Sequence, residues 1–395
     1  MVGEKSDGWG RAALLDNPRV RGILYQVALC VVVALAAIAV WRNVADNLAR
    51  NHITSGFGFL DQIAGFDISQ TLIDYSVQTS TYGRAFWVGL LNTLLIAVLG
   101  IVLATILGFV IGIARLSRNW LLANVARAYV EFVRNIPLLL QLLFWYNAVL
   151  KALPDMRQSI PIAGVAVLNN RGLFLPQPSF GPGLAWAALA GVAALAVAFI
   201  WRFIAQRRFE RTGRPLPVLL PGAILVVGAL ILTYVAVGGT IEFEFPQLGR
   251  FNVSGGVEIL PEFVALLFGL VIYTAAFIAE VVRAGLLSVP RGQSEAAAAL
   301  GLRRRQILNL IIIPQAKRVM IPPLTNQYLN LTKNSSLAVA IGYPDFVQIF
   351  TGTVLNQTGQ AVEVVLITLA VYLALSFATS AAMGWYGSRV AFVSR

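Results

Sequence analysis

Apolar residues in this chain come in long runs, with little of the alternation or one-sided striping seen in soluble proteins. Eight runs reach or approach the ~20 residues an α-helix needs to cross a hydrocarbon core about 30 Å thick. They cover Ile23–Trp41, Phe86–Ile113, Val125–Leu150, Leu184–Trp201, Val218–Val237, Phe263–Val282, Met320–Ile341 and Val362–Trp385. A helix apolar all round needs apolar surroundings on every side. The pattern predicts an all-α fold: a polytopic membrane protein with about eight transmembrane helices. Two runs are impure. Pro137 should kink the third, because proline removes a backbone donor and clashes with the preceding turn. The seventh holds Asn326, Gln327, Asn330, Thr332, Lys333, Asn334, Ser335 and Ser336.

Composition agrees with this class. The chain is 58% hydrophobic and 12% charged, about half the charge of an ordinary soluble domain. One cysteine, Cys30, excludes an internal disulfide framework and a cysteine metal cluster. One histidine, His52 in a polar loop, gives no basis for haem or copper chemistry, and no metal site is expected. The first run loosely fits a signal peptide through Ala37-Ile38-Ala39. Its length and long leader favour a retained anchor.

Charge orients the runs. With the N-terminus inside, the inner segments collect most of the basic residues. These include Lys5, Arg11, Arg115, Arg202, Arg207, Arg208, Arg214, Arg303, Arg304, Arg305, Lys317, Arg318, Arg389 and Arg395. The outer segments hold fewer, among them Arg42, Arg50, Arg84, Lys151, Arg157, Arg171 and Arg250. The positive-inside rule then puts both termini in the cytoplasm, in an inner (cytoplasmic) membrane. The same excess of inner basic residues accounts for the net charge of +12. No basic run is interleaved with stacking aromatics, so nucleic acid is not an expected partner.

The segment Ser294–Pro314 is the most informative loop. Ser294 can cap a helix, which puts Glu295 in the first turn, where its charge suits the helix dipole. Ala296, Ala297, Ala298 and Ala299 are strong helix formers. Gly301 can adopt the left-handed closing conformation. Arg303, Arg304 and Arg305 open a second helical stretch that Pro314 should interrupt. The expected form is helix, tight turn, helix at the membrane surface. The plainer reading is an amphipathic helix lying on lipid phosphates.

The order Glu295-Ala296-Ala297, three residues, Gly301, then an apolar run through Ile312 to Pro314 resembles the EAA loop of ABC importer permeases. The family often has leucine where Ile313 stands. Tyr129 to Gln141 resembles the second core span of permeases for polar amino acids, with Arg134-Asn135-Ile136-Pro137-Leu138 in place of Arg-Gly-Thr-Pro-Leu. Asn92-Thr93, Glu280-Val-Val-Arg283-Ala-Gly285, Gly292-Gln293, Pro322-Pro323-Leu324 and Lys333-Asn334-Ser335-Ser336 extend the likeness. The eight-span layout is similar to one permease of the general L-amino-acid importers of Gram-negative bacteria, a group that includes systems for glutamate, glutamine, aspartate and asparagine.

The resemblance implies five spans forming a type I ABC importer permease core. It implies four segments: an anchor span with outer loop (1–85), a first stretch of permease core (86–150), an insert with two extra spans (151–260), and a second stretch of core with the coupling loop (261–395). It implies that Glu295, Ala296, Ala297, Gly301, Arg303, Arg304, Arg305 and Pro314 couple to a cytoplasmic ABC ATPase dimer. A periplasmic amino-acid-binding protein and a second permease subunit, in a heterodimer, complete the set. The chain has no GxxxxGK[ST] loop to cradle phosphates. No cofactor is therefore expected on it, ATP-Mg belongs to the ATPase, and the chain is not itself an enzyme. The alternative function is an ion-coupled carrier of small polar solutes. It would want buried acids and inverted repeats, and neither is visible.

Substrate-pathway candidates are Asn92, Gln141, Asn326, Asn330, Lys333 and Ser335. Polar groups in hydrocarbon cost several kcal/mol unless paired, so the seventh span must face protein or water. Asn326, Asn330, Lys333 and Leu337 fall on one face of an ideal helix. Lys333 lies ~20 Å beyond Met320 on such a helix, where it either meets a substrate carboxylate or snorkels to the interface. Glu131 with Arg134, and Glu280 with Arg283, are spaced to pair on one helix face, either as interfacial anchors or as elements of a gate.

Overall fold

The computed structural model describes residues 18–50, 56–181, 183–212, 216–249 and 253–390. His52, Pro182, Arg214, Arg250, Arg395 and the leader residues Lys5 and Arg11 lie outside them.

The chain opens with α1 (Pro18–Arg50) and α2 (Tyr82–Ala114). The third apolar run is broken outright. Pro137 drives Ile136 into an extended conformation (φ −103°, ψ 127°), as expected for a residue preceding proline. This separates α3 (Trp120–Asn135) from α4 (Leu138–Leu143), which continues with π winding through Phe144–Leu150. The insert follows. Four short strands, β1 (Ile160–Ile162), β2 (Ala166–Asn169), β3 (Gly172–Leu175) and β4 (Gln177–Phe180), precede α5 (Leu184–Thr212) and α6 (Leu219–Ala236). Four more follow: β5 (Ile241–Glu244), β6 (Gln247–Leu248), β7 (Val253–Ser254) and β8 (Val257–Ile259). Next come α7 (Pro261–Leu287), α8 (Arg291–Ala299) and α9 (Arg304–Ile307). A π-wound Leu308–Ile312 leads into α10 (Ile313–Asn334), which tightens to 3-10 winding over Ser335–Ile341. The chain closes with π-wound Gln348–Val354, α11 (Leu355–Thr358) and α12 (Ala361–Val390).

Among the described residues, seven helices are long and apolar enough to cross a membrane. The eighth expected span is the broken α3–α4 run, of which only Leu138–Leu150 is a short apolar helix. The fold is therefore a polytopic helical membrane protein. Strands are added in the segments flanking the insert helices, in the antiparallel order β1-β2-β3-β8 with hairpins β4-β5 and β6-β7. Strands of two to four residues leave no periodic signal in sequence.

The described residues form two compact units, one within 1–92 and 344–378 and the other within 93–343 and 379–395. In the larger, α7 is the centre. Of its apolar window 56% is buried, against 17% for α5 and 6% for α6, which pack on each other. Small residues let neighbours approach α7 closely, as membrane helices require when lipid provides no hydrophobic drive for association. A Cβ on Gly108 of α2 would stand 2.6 Å from the Ile278 Cβ, and one on Gly285 would collide with the Met320 Cγ. Ala104, Ile278, Val282, Ala316, Met320 and Leu331 fill the contact of α2, α7 and α10.

The smaller unit has an aromatic core. The Phe346 and Phe350 rings stack at 4.6 Å, and Phe86 meets both edge-on. Tyr82 donates to Gln357 Oε1 at 3.0 Å.

Candidate functional site

The expected helix–turn–helix is present between α7 and α10, with two corrections. The first helix begins at Arg291, with Pro290 before it. Pro290 holds φ −57°, ψ 139°, and its carbonyl accepts from the Gln293 N–H. Ser294 is therefore not the cap. It lies inside α8 and donates its hydroxyl back to the Arg291 carbonyl at 2.7 Å, and Glu295 is in the second turn. Proline before a helix pre-sets the entry, so initiation falls several residues earlier than the serine.

The turn forms as expected, through hydrogen bonds that fix its angle. Gly301 has φ +77°. The Leu302 N–H donates to Ala297 O at 3.2 Å and the Gly301 N–H to Ala298 O at 2.9 Å. Those two bonds form a Schellman motif, which satisfies carbonyls a helix end would otherwise orphan. Gln306 Oε1 then accepts from the Arg303 N–H at 2.9 Å and opens α9. A guanidinium has no acceptor to return that bond.

The second correction concerns Pro314. It does not interrupt the helix. Residues Arg304–Ile341 run as one 38-residue helical stretch. The π winding at Leu308–Ile312, just before the proline, shifts the ladder where the missing N–H would break it. Pro314 sits half-buried along this arm, away from the elbow.

Burial sorts the loop residues. Ala297 is buried, while Glu295, Ala296, Gly301, Arg303, Arg304 and Arg305 are exposed. Leu300, at the end of α8, is 82% exposed. A large apolar residue held in a fixed turn, beside three exposed arginines, presents a rigid apolar point in a basic rim. Behind the loop, Ala316 and Met320 bury the start of α10 against α7.

Glu280 on α7 is the electrostatic joint. Its Oε1 accepts from Arg283 Nη2 at 2.5 Å and Nε at 3.2 Å, and Oε2 accepts from Arg115. The expected Glu280–Arg283 pair therefore exists. Arg115, just past the end of α2, joins it with no local signal in sequence. The Glu131–Arg134 pair is not among the ion pairs of the described residues. Arg134 instead lies over the Phe277 ring, 4.9 Å from its centroid. Packing of α3 on α7 offers that aromatic face, which outcompetes a solvated i,i+3 ion pair.

The polar face of α10 is only partly as expected. Asn326, Asn330 and Lys333 are exposed along it, next to exposed Pro322 and Pro323. Leu337 leaves the stripe and packs half-buried against the Ile96–Leu142–Leu266 core. The 3-10 winding after Asn334 turns each residue 120° instead of 100°, which rotates it away. Ser335 is buried and donates to Thr332 O at 2.8 Å.

The other two pathway candidates are held by backbone. Gln141 Nε2 donates to Val133 O at 2.9 Å and Ile136 O at 3.0 Å, carbonyls left by the α3 break. It also lines an apolar groove of about 490 Å³. Asn92, in the smaller unit, is fully buried and donates to Gln70 O and Pro344 O at 2.9 and 2.8 Å.

Residues 224–392 match the family described as binding-protein-dependent transport system inner membrane component. The chain is 48% identical over 388 residues to a general L-amino acid transport system permease protein of Rhizobium johnstonii, covering 98% of this chain and 96% of that one. It is 50% identical over 383 residues to a putative amino-acid ABC transporter permease protein of Escherichia coli, covering 96% of each. It is 39% identical over 420 residues to a glutamate/glutamine/aspartate/asparagine transport system permease protein of Rhodobacter capsulatus, covering 98% of each. A crystal structure of an amino acid ABC transporter with histidines aligns over 78% of this chain and 95% of that chain, at 20% identity and a TM-score of 0.46.

Proposed function

The chain belongs to the amino-acid permeases of binding-protein-dependent ABC transport systems, and from that premise we propose how it is coupled and what it carries. Membership displaces the ion-coupled alternative. Energy enters at the α8–α9 turn, where an ABC ATPase dimer on the cytoplasmic side seats Leu300 in an apolar groove. Arg303, Arg304 and Arg305 meet acidic groups around that groove. ATP and Mg stay on the ATPase. The observation that carries this reading is the fixed turn itself: a left-handed Gly301 presenting an exposed Leu300 beside three arginines.

The long helical arm from Arg304 to Ile341 turns motion at the loop into motion within the bundle. An ATPase that binds the loop differently in its open and closed forms then shifts the bundle between outward and inward openings. The exposed Asn326, Asn330 and Lys333 face needs a polar partner inside the bilayer. A second, related permease subunit supplies it, and the pathway runs between the two. Substrates are polar or broad-range L-amino acids delivered by a periplasmic binding protein. The protein lies in the bacterial inner membrane with both termini and the α8–α9 loop in the cytoplasm.

Two measurements test this. Uptake should stop with orthovanadate and persist with a protonophore, and the reverse pattern excludes ATP coupling. In a Cys30→Ser background, a cysteine replacing Leu300 should react with an impermeant thiol reagent only in inside-out vesicles, and should be protected when the ATPase is present. Labelling from the outer face removes the coupling role.

A further inference from the structure

A cleft of about 460 Å³ lies between the later turns of α5 and the last turns of α12, lined by Phe199, Arg202, Phe203, Gln206, Trp385 and Arg389. None of these residues belongs to the coupling loop or to the polar face of α10. On α5 the lining follows i, i+3, i+4, i+7, and on α12 i, i+4, so each helix turns a single face to the cleft.

The cleft sits where apolar chain gives way to basic chain. The fourth apolar run ends at Trp201 and Arg202 follows; the last ends at Trp385 and Arg389 follows. The lining therefore combines the Phe199, Phe203 and Trp385 rings with two guanidinium groups and the Gln206 amide. The Arg389 guanidinium lies 4.7 Å from the Trp385 ring centroid. Stacking covers one face of the planar cation and leaves its N–H fork open at the rim, a shape that matches phosphate oxygens. Among the described residues the ion pairs are those of Glu280, and neither Arg202 nor Arg389 takes part in one. Two like charges converging on one cleft repel unless an anion lies between them.

A small free anion would satisfy the arginines and leave the exposed Phe199 and Trp385 walls unused. A phosphodiester carrying acyl chains uses both. We propose that this cleft binds the headgroup phosphate of an anionic membrane phospholipid between Arg202 and Arg389, with its chains along Phe199 and Trp385. Basic pockets at helix ends near a membrane surface bind such anionic headgroups. The lipid would tie the insert helices to the C-terminal helix.

Native mass spectrometry of the full-length chain in detergent tests this, with phosphatidylglycerol, phosphatidylcholine and inorganic phosphate as probes. Phosphatidylglycerol should be retained, and phosphatidylcholine should not. Arg202→Gln with Arg389→Gln should lose most of that retention. Arg118→Gln with Arg127→Gln removes equal charge at exposed positions that do not line the cleft and should leave retention unchanged. Equal retention by the first double variant overturns the proposal, and so does equal loss in the second. Displacement of the lipid by equimolar inorganic phosphate would assign the cleft to free phosphate instead.

Discussion

Glu280 on α7 and Arg115 at the end of α2 form a hydrogen-bonded ion pair across 165 positions of sequence, and Arg283 closes on the same carboxylate from one turn away. The Arg115 side chain is 10% exposed and that of Arg283 34%. The two arginines therefore depend on the carboxylate unequally.

Glu280→Gln should strand Arg115 at a poorly solvated position and cost about 3 kcal/mol, the scale found when one partner of a buried pair is removed. Arg283→Gln leaves Glu280 paired and should cost about 1 kcal/mol or less, as exposed pairs do. Thermal midpoints in detergent compare the two directly. Equal losses would show that Arg115 does not rely on Glu280.

Gly301 at φ +77° should tolerate asparagine far better than alanine, because alanine in the left-handed region costs about 1–2 kcal/mol. Gly301→Ala should distort the turn that presents Leu300 and reduce ATP-driven uptake, while Gly301→Asn keeps most of it. Glu295→Lys with Gly301→Asp should abolish uptake and loosen the ATPase while membrane insertion stays normal. Quantifying membrane-inserted protein alongside uptake separates the effects, and undiminished uptake in that variant removes the coupling role.

Gln141→Leu should expose the cost of the α3 break. Ile136 O loses the Gln141 donor and Val133 O keeps only the long bond from the Ile136 N–H at 3.4 Å, and an orphaned buried group costs about 1–3 kcal/mol. Hydrogen exchange across residues 129–143 should accelerate in this variant. Unchanged protection would mean that water already serves those carbonyls.

Asp345 lies in the connection after the 3-10 turn, fully buried in the smaller unit. Its carboxylate accepts from the Gln348 N–H at 2.8 Å and the Tyr372 hydroxyl at 3.1 Å, yet burial outweighs these bonds and pushes its pKa up from 3.8 to about 7. The folded unit thus binds a proton that the unfolded chain has already released. The resulting stability is fully present below about pH 4. It falls by about 1.4 kcal/mol per pH unit as pH rises toward 7. Stability followed from pH 5 to 8 should decline in the wild type and stay flat in Asp345→Asn. A wild-type curve as flat as the variant's would place the carboxyl in contact with water.

Much of this was legible in the sequence, for stated reasons. Pro137 announced the break because a missing N–H and a restricted preceding residue act locally. Gly301 announced the turn because few other residues reach its backbone conformation. Ser294 misled, because Pro290 upstream starts the helix first. Pro314 misled too, because a π turn absorbs it. Leu337 left its stripe when the helix tightened. Arg115 gave no signal at all, since nothing local marks a partner on another helix.

The sequence by itself determined the helical membrane class, the number of long apolar segments and the helix–turn–helix near residue 301. These follow from solvation of continuous apolar runs and from single-residue backbone limits, which act over a few turns of chain. Only the tertiary structure decided that α7 is the hub and that Glu280 serves two arginines. It alone decided that Asn92 and Gln141 satisfy backbone carbonyls, and that Arg202 and Arg389 share a cleft. Those outcomes depend on which helix faces meet, and packing between segments distant in the chain sets that.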